Sequence, residues 1–230
     1  MSDLLVQMAG IDKKFPGVQA LKDCRFDLKS GEVHALVGEN GAGKSTLMKI
    51  LAGIYEEDQG EITFKGEAVQ IPNPHTAQQM GISMVHQELN LMPHLTASQN
   101  IFIGREPQKN LLLDEKTQDQ KAKSLFEMMH LNLAPWTKVS DMTVAKQQMV
   151  EIAKALSYNA DVLIFDEPSA ALTDVEINEL FRIIRQLKSN GVGIIYITHR
   201  LEELKQISDR VTVLRDGHYV DTVNTPEVNI

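Results

Sequence analysis

One cysteine, Cys24, serves a chain of 230 residues. A lone thiol excludes an intrachain disulfide and any zinc site assembled from several cysteines, and it fits a reducing cytosol. Long apolar runs are missing as well. Stretches such as Gly193-Ile-Ile-Tyr-Ile fall far short of a bilayer span, so any membrane role must work through a partner. The opening Met1-Ser-Asp-Leu-Leu carries no basic segment followed by an apolar one, the mark of a secretory signal. Positive charge is in deficit: 23 Lys and Arg against 31 Asp and Glu give a net −8, so no global basic field argues for nucleic acid. Internal repeats and low-complexity linkers are absent too. What remains is ordinary globular composition, 43% hydrophobic and 23% charged. The length suffices for a sizeable core in one large α/β domain or two small ones.

Short apolar runs alternate with helical stripes. Val33–Val37, Ile82–Val85, Val162–Phe165, Gly193–Ile197 and Val211–Leu214 suit buried strands of a largely parallel sheet. Between them, Leu47, Ile50 and Leu51 share a helix face that Gly53 can end. Ile177, Leu180, Phe181, Ile184 and Leu187 form a second stripe, opened by a capping box of Thr173 and Glu176 and followed by Gly191. The stretch of roughly 88–157 reads differently, with no convincing strand. Thr96-Ala-Ser-Gln can cap one helix, Leu125, Met128 and Met129 suggest another, and Met149, Ile152, Ala153 and Leu156 a third. Asn73-Pro and Leu91-Met-Pro read as loops or turns. The expected architecture is a single α/β unit over 1–230 with a helical subdomain inserted at about 88–157.

Gly38-Glu39-Asn40-Gly41-Ala42-Gly43-Lys44-Ser45 fits G-x-x-x-x-G-K-[ST], after a strand and at the opening of a helix, which is the context this motif needs. Glycines let backbone N–H groups curl around phosphate oxygens, and the helix N-terminus adds favourable partial charge. Lys44 offers a mobile cation to the β- and γ-phosphates, and Ser45 is placed to ligate Mg²⁺. Downstream, the apolar strand Val162–Phe165 ends in two carboxylates, Asp166 and Glu167. Neighbours on a strand point to opposite faces, so the two acids should have different tasks. Asp166 would help hold Mg²⁺, and Glu167 would polarise the attacking water as general base. Alone, the pair could equally be an acidic helix cap; beside a phosphate loop the catalytic reading is preferred. The guanine-reading pattern Asn-Lys-x-Asp is absent, which argues against a GTPase.

The ordered set Phe15, Gly38–Thr46, Gln87, Met142–Gln148, Asp166-Glu-Pro-Ser, Thr173-Asp and His199 resembles the ATP-binding cassette (ABC) ATPases over nearly the whole chain. More narrowly, Gly38–Lys49, Val85-His-Gln-Glu-Leu-Asn-Leu, Ile103-Gly-Arg-Glu-Pro and Gln148–Leu156 resemble the N-terminal cassette of ribose/galactose-type bacterial sugar importers. The resemblance implies a P-loop NTPase core: a mostly parallel sheet flanked by helices, with an antiparallel β part and a helical subdomain. It also implies ATP and Mg²⁺ as ligands, with Gly38–Thr46 cradling the phosphates and Phe15 stacking on adenine. Ser45, Gln87 and Asp166 would hold the metal. Gln87 would be a lid glutamine that moves with the membrane partner, and His199 a switch histidine contacting the γ-phosphate. Each has a plainer alternative: Phe15 a strand aromatic, Gln87 a solvated loop residue, His199 a strand-end histidine. His86 is taken as structural.

Departures cluster where the family usually has Leu-Ser-Gly-Gly-Gln. Here Met142, Thr143, Val144, Ala145 and Lys146 align with that signature loop. Thr143 keeps a hydroxyl and can cap the following helix; both glycines are gone, which makes close backbone approach harder. Lys146 could aid phosphate binding or simply be solvated. Ala170-Ala-Leu-Thr173 likewise departs from Ser-Ala-Leu-Asp, and Thr173 is already explained as a cap. The resemblance implies a second cassette that supplies its own signature loop to the nucleotide bound here, while Met142–Lys146 serves the opposite nucleotide. With one phosphate loop, this chain would be the first of two cassettes in a longer protein. The implied partners are a permease and, indirectly, a sugar-binding protein, with no nucleic acid. The implied place is the cytoplasmic side of the bacterial inner membrane. Two other functions stay open: a soluble cassette ATPase acting on ribosomes or nucleic acid, and a regulatory cassette that binds ATP without turnover.

Overall fold

The computed structural model describes residues 4–110 and 112–227. The expectations about the opening Met1–Asp3 and the closing Val228–Ile230 lie outside the described residues. Strands β1 (Leu4–Phe15) and β2 (Val18–Lys29) form a long hairpin, followed by β3 (Val33–Val37), α1 (Lys44–Leu51), β4 (Gln59–Phe64), β5 (Glu67–Val69), α2 (Pro74–Gln79) and β6 (Ile82–Val85). Next come α3 (Ala97–Phe102), β7 (Gln108–Lys109), β8 (Leu112–Leu113), α4 (Glu115–Met128), a 3₁₀ turn at Val139–Asp141 and α5 (Val144–Leu156). The chain continues through β9 (Val162–Asp166), α6 (Asp174–Ser189), β10 (Gly193–Ile197), α7 (Leu201–Ile207), β11 (Arg210–Arg215) and β12 (His218–Asn224).

The central sheet has the order β12-β11-β3-β10-β9-β6. Its five inner and right-hand strands run parallel, and β12 pairs antiparallel at one edge. A second, antiparallel sheet has the order β2-β1-β4-β5. The central strands are buried on both faces, and their side chains alternate between two cores. Leu163 and Phe165 of β9 and Ile194 and Tyr196 of β10 pack with α3, α4, α5 and α6. Val162 and Ile164, with Ile195 and Ile197, pack instead with α1 and the antiparallel sheet. This is why these strands read as unbroken apolar runs, not alternating ones. Helix α1 ends where expected, with Gly53 just beyond it at φ 70°.

Three expectations are corrected. The stretch 88–157 does contain strands: β7 and β8 form a two-residue hairpin whose residues are exposed, so no apolar pattern marks it. Asn73-Pro74 starts a helix: Asn73 Oδ1 accepts from Thr76 N–H at 2.9 Å, and Pro74 takes the first helical position, where a missing N–H costs nothing. In α4 the inward face is Gln118, Ala122 and Phe126, whereas Met128 is turned outward. The caps read from sequence are present. Thr96 N–H donates to Gln99 Oε1 at 2.9 Å, and Thr173 N–H to Glu176 Oε2 at 2.9 Å.

Candidate active site

Four neighbouring parallel strands, in the order β3-β10-β9-β6, deliver their C-terminal ends to one edge of the sheet. The loop Gly38–Thr46 follows β3, Thr198-His199 follows β10, Asp166-Glu167 ends β9, and His86-Gln87 follows β6. Open α/β sheets bind ligands outside such ends. Sequence-distant residues thus converge because parallel pairing aligns the strands; Val85, Phe165 and Tyr196 are in register.

A cavity of about 420 Å³ opens there. Its lining comprises Asn40–Thr46, Gln87, Glu167 and, from β2, Val18, Gln19 and Ala20. The β2 residues were not foreseen, because nothing in their chemistry marks them; the hairpin brings them over the loop. Gly43 adopts φ 97°, and a Cβ there would stand 2.8 Å from the Ala20 carbonyl oxygen, so the loop closes under β2 only with glycine. Lys44 is buried, and its Nζ donates to the carbonyls of Gly38 at 2.8 Å and Glu39 at 3.0 Å. The expected mobile cation is therefore folded back onto two carbonyl oxygens of its own loop.

Ser45 Oγ donates to Asp166 Oδ1 at 3.3 Å. Burial pushes the Asp166 carboxyl upward from its ordinary value, and the Ser45 hydrogen bond only partly opposes this. A buried carboxylate beside a hydroxyl, with the exposed Gln87 on the same cavity, is a set of hard oxygen donors of the kind Mg²⁺ takes. These residues fit that ion.

Strand alternation does not aim Glu167, as the sequence reading assumed. Its φ is 49°, a left-handed conformation rare for a residue with a side chain, and its N–H is held by the Ile197 carbonyl at 3.1 Å. The strand has already ended, and this kink directs the carboxylate into the cavity. Such strain persists only where surrounding structure enforces it, and it concentrates at functional sites. Glu167 Oε1 lies 3.2 Å from His199 Nδ1, a pairing not foreseen from sequence. His199 does not line the phosphate-loop cavity; it lines a neighbouring open groove of about 880 Å³ between the start of α6 and α7. The Glu167–His199 contact joins the two spaces.

Phe15 is not among the cavity's lining residues. It pairs across the hairpin with Val18, which does line it, and packs edge-on against Tyr55 with ring centroids 5.1 Å apart. Met142–Lys146 also stand apart from the cavity, at the start of α5. Thr143 Oγ1 accepts from Lys146 N–H at 3.4 Å, so the capping hydroxyl is in use. Met142 is buried, Val144 is exposed, and none of the five residues has a positive φ. Loss of the two glycines thus costs this backbone no strain.

The model of the family described as ABC transporter matches residues 21–170, more than half of the chain. A relative from Burkholderia cenocepacia (strain HI2424), named "Putative ribose/galactose/methyl galactoside import ATP-binding protein 2", is 62% identical over 221 residues, covering 95% of this chain and 43% of its own length. Relatives with names of the same kind occur in Albidiferax ferrireducens, 58% identical over 95% of this chain and 44% of its own, and in Agrobacterium fabrum, 52% identical over 99% and 44%. The chain therefore spans less than half the length of the relatives it matches. In fold it is similar to a nucleotide-free ATP-binding cassette of an ABC transporter, with a TM-score of 0.87 at 23% identity over 96% of this chain and 91% of that one. A dimeric bacterial ABC transporter cassette superposes with a TM-score of 0.80 at 22% identity, over 96% and 99%. With the family's model matched over residues 21–170, more than half of the chain, and relatives above half identity along nearly all of its length, this chain belongs to the ABC transporter family.

Proposed function

We propose that the chain is the ATP-binding and hydrolysing cassette, the first of two in a longer protein, that energises uptake of a monosaccharide through a membrane permease. The observation that carries this reading is the convergence of the ends of β3, β9 and β6 on one phosphate-loop cavity lined by Lys44, Ser45, Glu167 and Gln87, with Asp166 hydrogen-bonded to Ser45. The names of the sugar-import relatives supply the cargo class. Among the described residues no helix is long and apolar enough to cross a membrane, and the permease is proposed as a partner. The cassette would sit on its cytoplasmic side, with a sugar-binding protein acting indirectly.

The chemistry follows from the residues. Loop N–H groups and the N-terminus of α1 bind phosphate oxygens, and Lys44 exchanges its two carbonyl partners for the β- and γ-phosphates. Ser45, Asp166 and Gln87 would hold Mg²⁺, which supplies charge neutralisation across those phosphates. Glu167 accepts the proton of the attacking water. His199, held by Glu167, reaches the γ-phosphate from the adjoining groove. Phe15 and its neighbour Tyr55 form an aromatic corner for the adenine. The exposed start of α5 at Thr143–Lys146 faces a second cassette and serves its nucleotide, so ATP bridges two bodies and hydrolysis parts them.

Titration of the complete protein with a fluorescent MgATP analogue tests this. Lys44→Ala should weaken binding roughly tenfold to a hundredfold, the scale of charge-assisted hydrogen bonds. Absence of MgATP affinity in the parent protein overturns the reading.

A further inference from the structure

The His199 side chain is 56% exposed, so packing does not fix its ring. The backbone on either side of it is held instead. Glu203, inside α7, is only 4% exposed. Its Oε2 accepts from the Tyr196 hydroxyl at 2.8 Å and from Thr198 Oγ1 at 3.0 Å. Thr198 Oγ1 in turn accepts from the Arg200 N–H at 3.0 Å. The residues immediately before and after His199 are thus tied to one carboxylate. The other oxygen, Oε1, is buried without a hydrogen-bond partner, and the Arg200 guanidinium stands 3.5 Å away. On the far side, Tyr196 lies in β10, whose next residue, Ile197, accepts the Glu167 N–H at 3.1 Å through its carbonyl. Withdrawing a carboxylate from water is costly unless its surroundings compensate. This one is met mainly by neutral hydroxyls, an arrangement that suits orientation better than stability.

We propose that Glu203 is a positioning residue for the Glu167–His199 pair. Through Thr198 and Arg200 it sets the backbone of His199, and through Tyr196 it anchors that segment to β10, whose Ile197 carbonyl holds the Glu167 N–H. The 3.2 Å contact between the pair is then governed by a buried group that touches neither. Because Glu203 belongs to α7, a displacement of that helix is felt at His199. The inference rests on the hydrolytic role given above to Glu167 and His199.

The test uses the complete protein and three variants: Glu203→Gln, Thr198→Val and Tyr196→Phe. The last two keep side-chain volume and remove a hydroxyl each, so they remain informative if the first folds poorly. Turnover, MgATP affinity, melting temperature and the His199 imidazole resonances are measured for each. The expected result is a kcat lower by on the order of tenfold to a hundredfold, as for misplacement of a reacting group. Affinity should stay within about threefold, and the His199 resonances should be displaced. Unchanged kcat and unchanged resonances in the two hydroxyl variants overturn the proposal. So does a kcat that falls only in proportion to the folded fraction. A Glu167→Gln protein that turns over normally defeats the hydrolytic reading itself. A strong Glu167 dependence with turnover indifferent to Glu203 defeats only this inference.

Discussion

The parallel strands carry polar clusters at both ends, and the two are built in opposite ways. At the start of β3 and β11, Arg210 donates to both oxygens of Asp27 at 2.7 and 2.9 Å and to Glu32 at 3.3 Å, while Glu32 also accepts from the Lys29 N–H at 2.8 Å. Beside them, buried His34 Nε2 lies 2.7 Å from Thr212 Oγ1, which lies 2.7 Å from Thr222 Oγ1. Apart from the buried His34 Nδ1, which has no hydrogen-bond partner, the groups there are paired, and the backbone is regular. At the other end, Asp166 has one long bond to Ser45, Glu167 sits at a positive φ, and His199 projects into open space. Polar groups that hold a fold together are mutually satisfied. Groups meant for a ligand are left short of partners and held in strained backbone. The contrast predicts that substitutions at the first end change stability and spare chemistry, and that those at the second do the reverse.

The sharpest way to break that contrast is Glu167→Gln. In the complete protein it should preserve MgATP binding and slow turnover by about 10²–10⁴-fold, the worth of a positioned general base. Its melting temperature should not fall, because the substitution removes a charge and no packing. Near-normal turnover, or a clear loss of stability, would place Glu167 in the structural class.

Acidification probes the opposite end. Burial, reinforced by Arg210, holds the His34 imidazole down to about 4 from 6.5. The unfolded chain therefore binds the proton first. The stability that neutral His34 contributes is complete above pH 6.5 and drains away as pH falls towards 4, by roughly 3 kcal/mol in all. Urea melts of the parent protein and of His34→Gln at several pH values between those limits should diverge, with the variant the flatter. Parallel curves would show that His34 does not carry the acid sensitivity. At neutral pH its MgATP affinity should match the parent's.

Arg210→Met should cost a little less, about 2 kcal/mol. Burial alone would raise the Asp27 carboxyl, but the guanidinium more than offsets this and holds it below its ordinary value. Burial raises Glu32, which Arg210 relieves only in part. Removing the cation leaves both acids uncompensated. The predicted signature is a lower melting temperature with kcat unaltered in the folded fraction.

The same division decides what could be read from sequence. The buried strands Val33–Val37, Ile82–Val85 and Gly193–Ile197 are legible because two covered faces demand unbroken apolar runs, and their bounds match the structure. Gly38–Ser45 is legible as a glycine-rich turn between β3 and α1, because its glycines and the following helix are marked in the sequence. The antiparallel sheet is implied by resemblance but not by residue pattern. β1 and β2 lose their period-2 alternation where register shifts between Met8 and Ile11, near Gly10 at φ 63° and Asp23 at φ 48°. Val18–Ala20 carry no chemical mark, and only the hairpin places them at the cavity. The direction of Glu167 was inaccessible for a different reason. A left-handed non-glycine residue is imposed by tertiary contacts, and local preference argues against it.

The smallest predicted effect has the most informative sign. Asp166 is buried, and its carboxyl is raised above the ordinary 3.8 chiefly by that burial. For an acid so shifted, the folded state holds its proton to higher pH than the unfolded chain does. Stability therefore declines as pH climbs from 3.8 to the raised value and stays lower beyond it. Asp166→Asn, which is neutral at every pH and still accepts from Ser45, escapes that decline. It should stabilise the protein at pH 7 by about 1 kcal/mol, seen as a higher melting temperature, while weakening Mg²⁺-dependent nucleotide binding. A drop in melting temperature would mean that the carboxylate is structurally satisfied where it lies, and the distinction between the two ends of the sheet would dissolve. A rise, with Arg210→Met falling, would show one sheet edge selected for cohesion and the other held against it by the demands of a ligand.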